Sequence, residues 1–204
     1  MKRVLFPALA GALLTISGAA FADTPVSAVA DLNVRAGPGP QYPVIGVLAA
    51  GQAATLVGCI EGSKWCTIAE AGGKGWIYSD YVTGDFGGSR VVLTRRPADA
   101  GVAIVAPPTD NVYTTDTYTG AIIPGDDADA IESIGRPPAE VGTYVATHRV
   151  DPVYLDGEVV TGATLPDTVE LREIPDYNYR YVYVNNQPAL VDPGTRRIVY
   201  VMRR

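Results

Sequence analysis

The chain has 204 residues and a formal net charge of −6, with 22 acidic residues against 16 basic ones. This length suits one or two domains. The acidic excess disfavours binding to nucleic acid or to an anionic membrane surface, because both depend on attraction between basic side chains and phosphate groups.

The first 22 residues have the pattern of an export signal. Lys2 and Arg3 precede an apolar run, and Ala20-Phe21-Ala22 places small residues where a signal peptidase reads them. We therefore predict a signal peptide at 1–22, cleaved after Ala22, and a periplasmic or secreted protein. The alternative is an uncleaved N-terminal anchor. Beyond Ala22 we expect no membrane span, because no later apolar stretch is long enough.

Residues 23–84 predict a small all-β domain. Short apolar runs are separated by turn residues, as where Leu32-Asn33-Val34-Arg35 is followed by Ala36-Gly37-Pro38-Gly39-Pro40. Strands of this length and spacing are typical of a small barrel or sandwich.

The two cysteines, Cys59 and Cys66, flank a predicted hairpin loop at Glu61-Gly62-Ser63-Lys64. An even count and close spacing in an exported chain favour a disulfide. The alternatives are two free thiols or a metal pair, although two cysteines lack the further ligands that a structural zinc needs.

Residues 85–142 are rich in Gly, Pro, Thr and Asp and predict a partly disordered linker. Its acidic side chains do not have the spacing of a calcium loop, so we interpret them as a solvated stretch with a helix cap. These residues are Asp126, Asp127, Asp129 and Glu132.

Residues 143–204 predict a second β domain. Asp156-Gly157 suits a tight hairpin turn within Pro152 to Val160, and Asn185-Asn186 suits another. With Ile198 to Met202, the end of the chain predicts a three-stranded antiparallel meander. Tyr177, Tyr179, Tyr181 and Tyr183 alternate and so share one strand face. That face is either buried in the sheet or an exposed adhesive stripe.

The N-terminal segment resembles the bacterial Src-homology-3 family. The resemblance lies in Leu32-Asn33-Val34-Arg35-Ala36-Gly37-Pro38-Gly39, Tyr42-Pro43-Val44-Ile45-Gly46, Gly75-Trp76-Ile77 and Tyr81-Val82. It implies a small β-barrel that binds cell-wall peptides or other proteins and has no activity of its own.

The C-terminal segment, roughly 150–203, is similar to a domain of unknown function (number 1236) found in exported proteobacterial proteins. The similar residues are Leu165 to Leu171, Pro175-Asp176-Tyr177, Tyr179 to Asn185, Val191-Asp192-Pro193 and Thr195 to Tyr200. This family has no assigned chemistry. The expected fold is therefore all-β: a Src-homology-3-like barrel and a C-terminal antiparallel meander, joined by a linker rich in Pro, Gly and Asp.

Aromatic side chains of the predicted barrel are candidates for a peptide groove, because they combine apolar area with a polar tip. Asn33 and Arg35 alternate with Leu32 and Val34, so they are either surface readers of a ligand or stabilise the Gly37–Gly39 turn. The candidate ligand-binding residues are Asn33, Arg35, Tyr42, Trp65, Tyr78 and Tyr81.

Catalytic chemistry is not expected. The single histidine, His148, lacks a paired nucleophile in the sequence pattern, and no Gly-x-Ser-x-Gly elbow occurs. We expect His148 to be an exposed residue at a strand start, with no metal and no cofactor. The leading hypothesis is a non-catalytic envelope protein whose partner is a cell-wall peptide or an envelope protein. The alternatives are a structural protein that assembles through its tyrosine-rich sheet, an accessory subunit of a cell-wall hydrolase, and an enzyme of unrecognised type.

Overall fold

The computed structural model describes residues 24–70, 72–108, 120–124 and 134–203. The predicted signal peptide and the acidic residues 126–132 lie outside these ranges. Within them, the predicted all-β class is confirmed: there are two antiparallel sheets and one α-helix.

The N-terminal module (residues 24–108) is built on one antiparallel sheet of eight described strands in the order β3-β2-β6-β5-β4-β1-β7-β8. The strands are β1 (Thr24–Ala28), β2 (Leu32–Arg35), β3 (Val44–Leu48), β4 (Ala53–Cys59), β5 (Trp65–Glu70), β6 (Gly73–Tyr78), β7 (Val82–Phe86) and β8 (Ser89–Val92). The sheet therefore continues past residue 84, and short 3-10 helices follow β6 (Ser79–Tyr81) and β8 (Leu93–Arg95).

The hairpin predicted around residues 61–64 is confirmed. Cys59 and Cys66 lie directly opposite each other on β4 and β5, with their Cα atoms 4.0 Å apart, and form a disulfide. The bridge lies in the module's core, where both cysteines are buried.

A segment of the predicted linker runs along β4. The amide of Cys59 donates to the carbonyl of Ala103 at 2.9 Å, and the amide of Val105 donates to the carbonyl of Cys59 at 3.0 Å. Gly58 permits this approach, because a Cβ there would lie 2.6 Å from the carbonyl oxygen of Ala103. Residues 103–105 are thus part of the N-terminal module.

The C-terminal module (residues 134–203) contains the predicted meander. Its strands are β9 (Arg180–Val184), β10 (Gln187–Val191) and β11 (Ile198–Val201), ordered β11-β10-β9. Asn185 and Asn186 have φ values of 50° and 65° in the β9–β10 turn, the left-handed conformation that asparagine tolerates.

The hairpin predicted between Pro152 and Val160 does not form. This stretch makes only isolated bridges, Ala121 with Asp156 and Val153 with Val184. Val159 and Val160 are both fully buried, so consecutive residues do not alternate between core and solvent as in a one-sided hairpin.

A helix, α1 (Ala139–Thr147), lies where the sequence analysis places the end of the linker. It covers part of the tyrosine face of β9: the hydroxyl of Tyr181 donates to the carbonyl of His148 at 2.7 Å, and that of Tyr183 to the carbonyl of Val145 at 3.0 Å. Tyr181 and Tyr183 are core residues, whereas Tyr177 and Tyr179 precede the strand and are half-buried.

The two modules share one hydrophobic core. A single cluster of buried residues contains Leu32, Ile68 and Ile77 together with Leu155, Val159 and Val184. A second cluster lies between α1 and the outer face of the meander. In the described residues, no helix is long and apolar enough to cross a membrane.

Candidate functional site

Strand β2 is buried on both faces. Neighbouring residues of a strand point to opposite sides, and all four residues of β2 are buried. Leu32 and Val34 belong to the hydrophobic core. Asn33 and Arg35 must therefore be covered from the other side, and the C-terminal module provides that cover.

An ion pair between Arg35 and Glu158 joins the modules. The Nε of Arg35 bonds Oε2 of Glu158, and its Nη2 donates to Oε1 at 2.6 Å, so the guanidinium binds the carboxylate through two donors. The two side chains are 2% and 0% exposed. The remaining Nη1 donates at 2.8 Å to the carbonyls of both Pro40 and Tyr42. Arg35 therefore holds its own turn and anchors the C-terminal module.

Polar neighbours saturate the same carboxylate. The Nδ2 of Asn33 donates to Oε1 of Glu158 at 2.8 Å and to Oε1 of Gln187 at 2.8 Å, and the amide of Val159 donates to Oε1 of Glu158 at 2.9 Å. A buried charge is tolerated only with such compensation. This junction cluster (Asn33, Arg35, Glu158 and Gln187) is a structural connection between the modules.

The structure thus places Asn33 and Arg35 inside the protein and not on its surface. The turn-stabilising alternative holds for Arg35, through the carbonyls of Pro40 and Tyr42. The sequence analysis did not identify Glu158 as its partner. The sequence signal for Glu158 is a carboxylate directly before the apolar pair Val159-Val160. This signal does not point to Arg35, which is 123 residues away in the sequence.

Three of the other candidate residues form a buried aromatic cluster. The rings of Trp65 and Tyr78 meet edge to face, with centroids 5.3 Å apart, and the centroids of Tyr78 and Tyr81 are 6.3 Å apart. None of the three is more than 6% exposed. The Nζ of Lys64 lies over the Tyr78 ring, 5.7 Å from its centroid, and forms an ion pair with Oδ2 of Asp80 at 2.9 Å. These rings do not form an open groove.

Tyr42 is the one predicted ligand-binding residue that keeps partial exposure. Its ring lies directly over Gly37, where a Cβ would collide with it. This contact explains the need for glycine at position 37 of the turn.

The buried tyrosines are expected to make the protein less stable at alkaline pH. Burial raises the pKa of the Tyr78 phenol above its ordinary value of 10.0. The negative charges of Asp156, Asp80 and Glu158 raise it further. Burial, followed by the charge of Asp80, also raises the pKa of Tyr81. The unfolded chain ionises first, so the stabilisation is complete below pH 10.0 and is lost as the pH rises toward the folded values.

We expect the free energy of unfolding in urea to be lower at about pH 11 than at about pH 8. The Tyr81 hydroxyl is buried without a hydrogen-bond partner among the described residues. Tyr81→Phe should therefore be tolerated at the lower pH and reduce the alkaline loss. An equal loss in a variant with Tyr78 and Tyr81 both changed to Phe would contradict this assignment.

The N-terminal module exposes apolar side chains on β3, an end strand of the sheet. Val44, Ile45 and Val47, here called the β3 patch, are 38%, 57% and 37% exposed. From Ala36 to Ile60 the sequence has no charged residue. End strands usually carry charges or prolines that prevent pairing with another chain. The β3 patch lacks such charges, and in the described residues β3 pairs with β2 alone.

The structure places the residues considered for catalysis, the two cysteines and His148, in different modules. His148 is exposed at the end of α1, and not at a strand start as expected; its ring stacks on Tyr144 with centroids 4.0 Å apart. In the ranges that the structure covers, no group of three or more His, Cys, Asp or Glu side chains could hold a metal ion. The acidic residues 126, 127, 129 and 132 lie outside those ranges.

Comparison with known proteins agrees with the two expected resemblances. A family model described as a bacterial SH3 domain matches residues 30–83, and a model of a domain of unknown function (DUF1236) matches residues 144–203. No solved structure matches the chain. The disulfide fits an extracellular or envelope location.

YrvJ of Bacillus subtilis (strain 168), a candidate N-acetylmuramoyl-L-alanine amidase, is 31% identical over 110 residues. The alignment covers 52% of this chain but only 21% of YrvJ. The chain therefore spans about a fifth of this relative. The present chain combines a segment that matches the bacterial SH3 domain family with a segment that matches domain of unknown function 1236.

Proposed function

We propose that this protein is an exported, non-catalytic cell-envelope protein that binds cell-wall peptides through the β3 patch. The observation that carries the proposal is an exposed, uncharged end strand on the module that matches the bacterial SH3 domain. The similarity to YrvJ, a candidate N-acetylmuramoyl-L-alanine amidase, supports the choice of ligand. An enzyme of that name acts on the amide bond between the N-acetylmuramoyl sugar and the L-alanine of the wall peptide.

The geometry favours an extended peptide. A peptide strand added beside β3 would form hydrogen bonds with the backbone groups on the outer edge of β3. Such bonds supply affinity that does not depend on the side chains of the peptide. Val44, Ile45 and Val47 would cover the small apolar side chains of such a peptide, and Tyr42 lies two residues before the strand. The strand itself is uncharged, and the carboxylate of Glu70 on β5 lies beside Gly46.

The absence of catalysis is part of the proposal. The disulfide removes both cysteines as thiolate nucleophiles. His148, the only histidine in the sequence, has its Nδ1 3.0 Å from the carbonyl oxygen of Tyr144, within its own helix turn. Assembly through the tyrosine sheet is less favoured, because Tyr181 and Tyr183 are buried. The amidase similarity is also compatible with an accessory subunit of a wall hydrolase.

Binding of the full mature chain to purified peptidoglycan sacculi tests the proposal. We expect retention of the protein, and about tenfold weaker retention for Ile45→Asp, because an apolar contact of this size contributes about 1.5 kcal/mol when buried. Ile104→Asp is the matched control: Ile104 is 70% exposed on the same module but outside the β3 patch.

Both variants should keep the thermal midpoint of the parent protein. Failure of the parent to be retained, or equal weakening by both substitutions, would overturn binding through the β3 patch. Release of soluble muropeptides by the purified protein would overturn the non-catalytic assignment.

A further inference from the structure

A groove in the C-terminal module lies between α1 and the three-stranded sheet. Its volume is about 470 Å³, and its lining includes Arg136, Pro138, Tyr183, Tyr200, Met202 and Arg203. A second cavity of about 370 Å³ shares Tyr200 and Arg203 with it. The two cavities therefore adjoin at Tyr200 and Arg203. We call the larger cavity the α1 groove.

The walls of the α1 groove are mostly apolar and held in place. The hydroxyl of Tyr183 is fixed by its bond to Val145 on α1. Pro188 accepts, through its carbonyl, the amide of Met202 at 2.9 Å, which holds the end of β11 against β10. Prolines and ring side chains lose little conformational freedom when a ligand binds, so the groove is prepared for one.

The charge of the α1 groove is opposite to that of the protein. The chain has a net charge of −6, yet among the described residues no acidic side chain lines the α1 groove, and Asp31 of the adjoining cavity is paired with Arg203. Arg136 is exposed and forms no ion pair within the described ranges. A free guanidinium beside apolar walls favours a ligand that carries a carboxylate.

Arg203 provides a second donor where the two cavities meet. Its Nη2 donates to the carbonyl of Asp31 at 2.6 Å, and its Nη1 is 3.5 Å from Oδ2 of Asp31. Its Nε–H is buried and has no acceptor in the described part of the chain. Buried donors are usually paired in folded proteins. The Arg203 side chain as a whole is 23% exposed, so part of it remains open to a ligand.

We propose that the α1 groove binds a short acidic peptide segment, with a carboxylate bound by Arg136 beside the guanidinium of Arg203. The apolar parts of the peptide contact Tyr200, Met202 and Pro188. This site is separate from the β3 patch and adds a binding activity to the C-terminal module, whose family has no assigned function.

Fluorescence anisotropy with the full mature chain tests the site. The probe is a fluorescein-labelled peptide of sequence Ala-Glu-Ala-Glu-Ala, and its matched control has Gln in place of Glu. We expect the Glu peptide to bind about tenfold more tightly, because the Gln peptide lacks the charge-assisted hydrogen bonds. Added salt should weaken binding of the Glu peptide.

The variant Arg136→Gln should weaken binding of the Glu peptide about tenfold. Arg172→Gln is the control, because Arg172 is similarly exposed in the same module but does not line the groove. Equal affinity for the two peptides, absence of binding, or equal effects of the two variants would overturn the proposal. The variant Ile45→Asp should still bind the Glu peptide, and the variant Arg136→Gln should still bind sacculi. Failure of binding at the α1 groove is therefore distinguishable from failure of binding at the β3 patch.

Discussion

Replacing Glu158 by alanine is expected to lower the free energy of unfolding by about 3–5 kcal/mol, because the change leaves the guanidinium of Arg35 buried without its counter-charge. At the same time the amide of Val159 loses its acceptor, and the side-chain amide of Asn33 loses one of its two acceptors. Urea denaturation of the full mature chain, followed by tryptophan fluorescence, measures the loss. Trp65 and Trp76 both belong to the N-terminal module and report its unfolding.

A second variant separates the ion pair from simple cavity formation. The double substitution Arg35→Met with Glu158→Leu removes both charges and keeps apolar volume, so it should recover much of the loss. The exposed pair Arg172–Glu170 is the control: Glu170→Ala should change the free energy of unfolding by less than about 1 kcal/mol. A loss below about 1 kcal/mol for Glu158→Ala would show that the junction cluster does not hold the modules together.

Loss of the Cys59–Cys66 disulfide is expected to lower the free energy of unfolding by about 2–3 kcal/mol, since the bridge closes a short loop and constrains the unfolded chain. Reduction should also loosen residues 103–105, because their backbone bonds to Cys59. Hydrogen exchange at the amide of Val105 would then increase before global unfolding.

Denaturation with and without dithiothreitol measures this effect without a substitution. A variant with both cysteines changed to alanine is the control, because reductant should leave its free energy of unfolding unchanged. If reductant lowers the stability of the parent and of that variant equally, or of neither, the disulfide does not stabilise the fold in this way.

Features set by neighbouring residues could be predicted from the sequence. The hairpin at residues 61–64 follows from turn residues between two apolar runs, and the disulfide follows from its position there. Asn185 and Asn186 mark the β9–β10 turn, because asparagine tolerates positive φ. Each of these signals lies within a few residues of the structure that it specifies.

Helix α1 could not be predicted in this way. Its sequence contains Gly142 and several β-branched residues, which have low intrinsic helix propensity. Val141 and Val145, four residues apart, are buried against the tyrosines of β9. Tertiary contact therefore stabilises the helix, and the sequence of the segment alone does not reveal that contact.

The candidate site was harder to predict for the same reason. Alternation in β2 correctly placed Asn33 and Arg35 on the face opposite Leu32 and Val34, but a one-sheet interpretation left that face to solvent. Only the fold of the C-terminal module brings Glu158 there. The β3 patch, in contrast, is visible in the sequence as a long uncharged stretch, although its exposure depends on the position of β3 at the end of the sheet.

The shared face of β2 determines which pieces of this protein can be studied alone. A fragment cut near residue 84 would present Arg35 and Asn33 to solvent, and their donors would attract anions that never reach them in the intact molecule. Ligand screens with such a fragment would therefore report a surface created by the truncation. Measurements of recognition by this protein require both modules on one polypeptide.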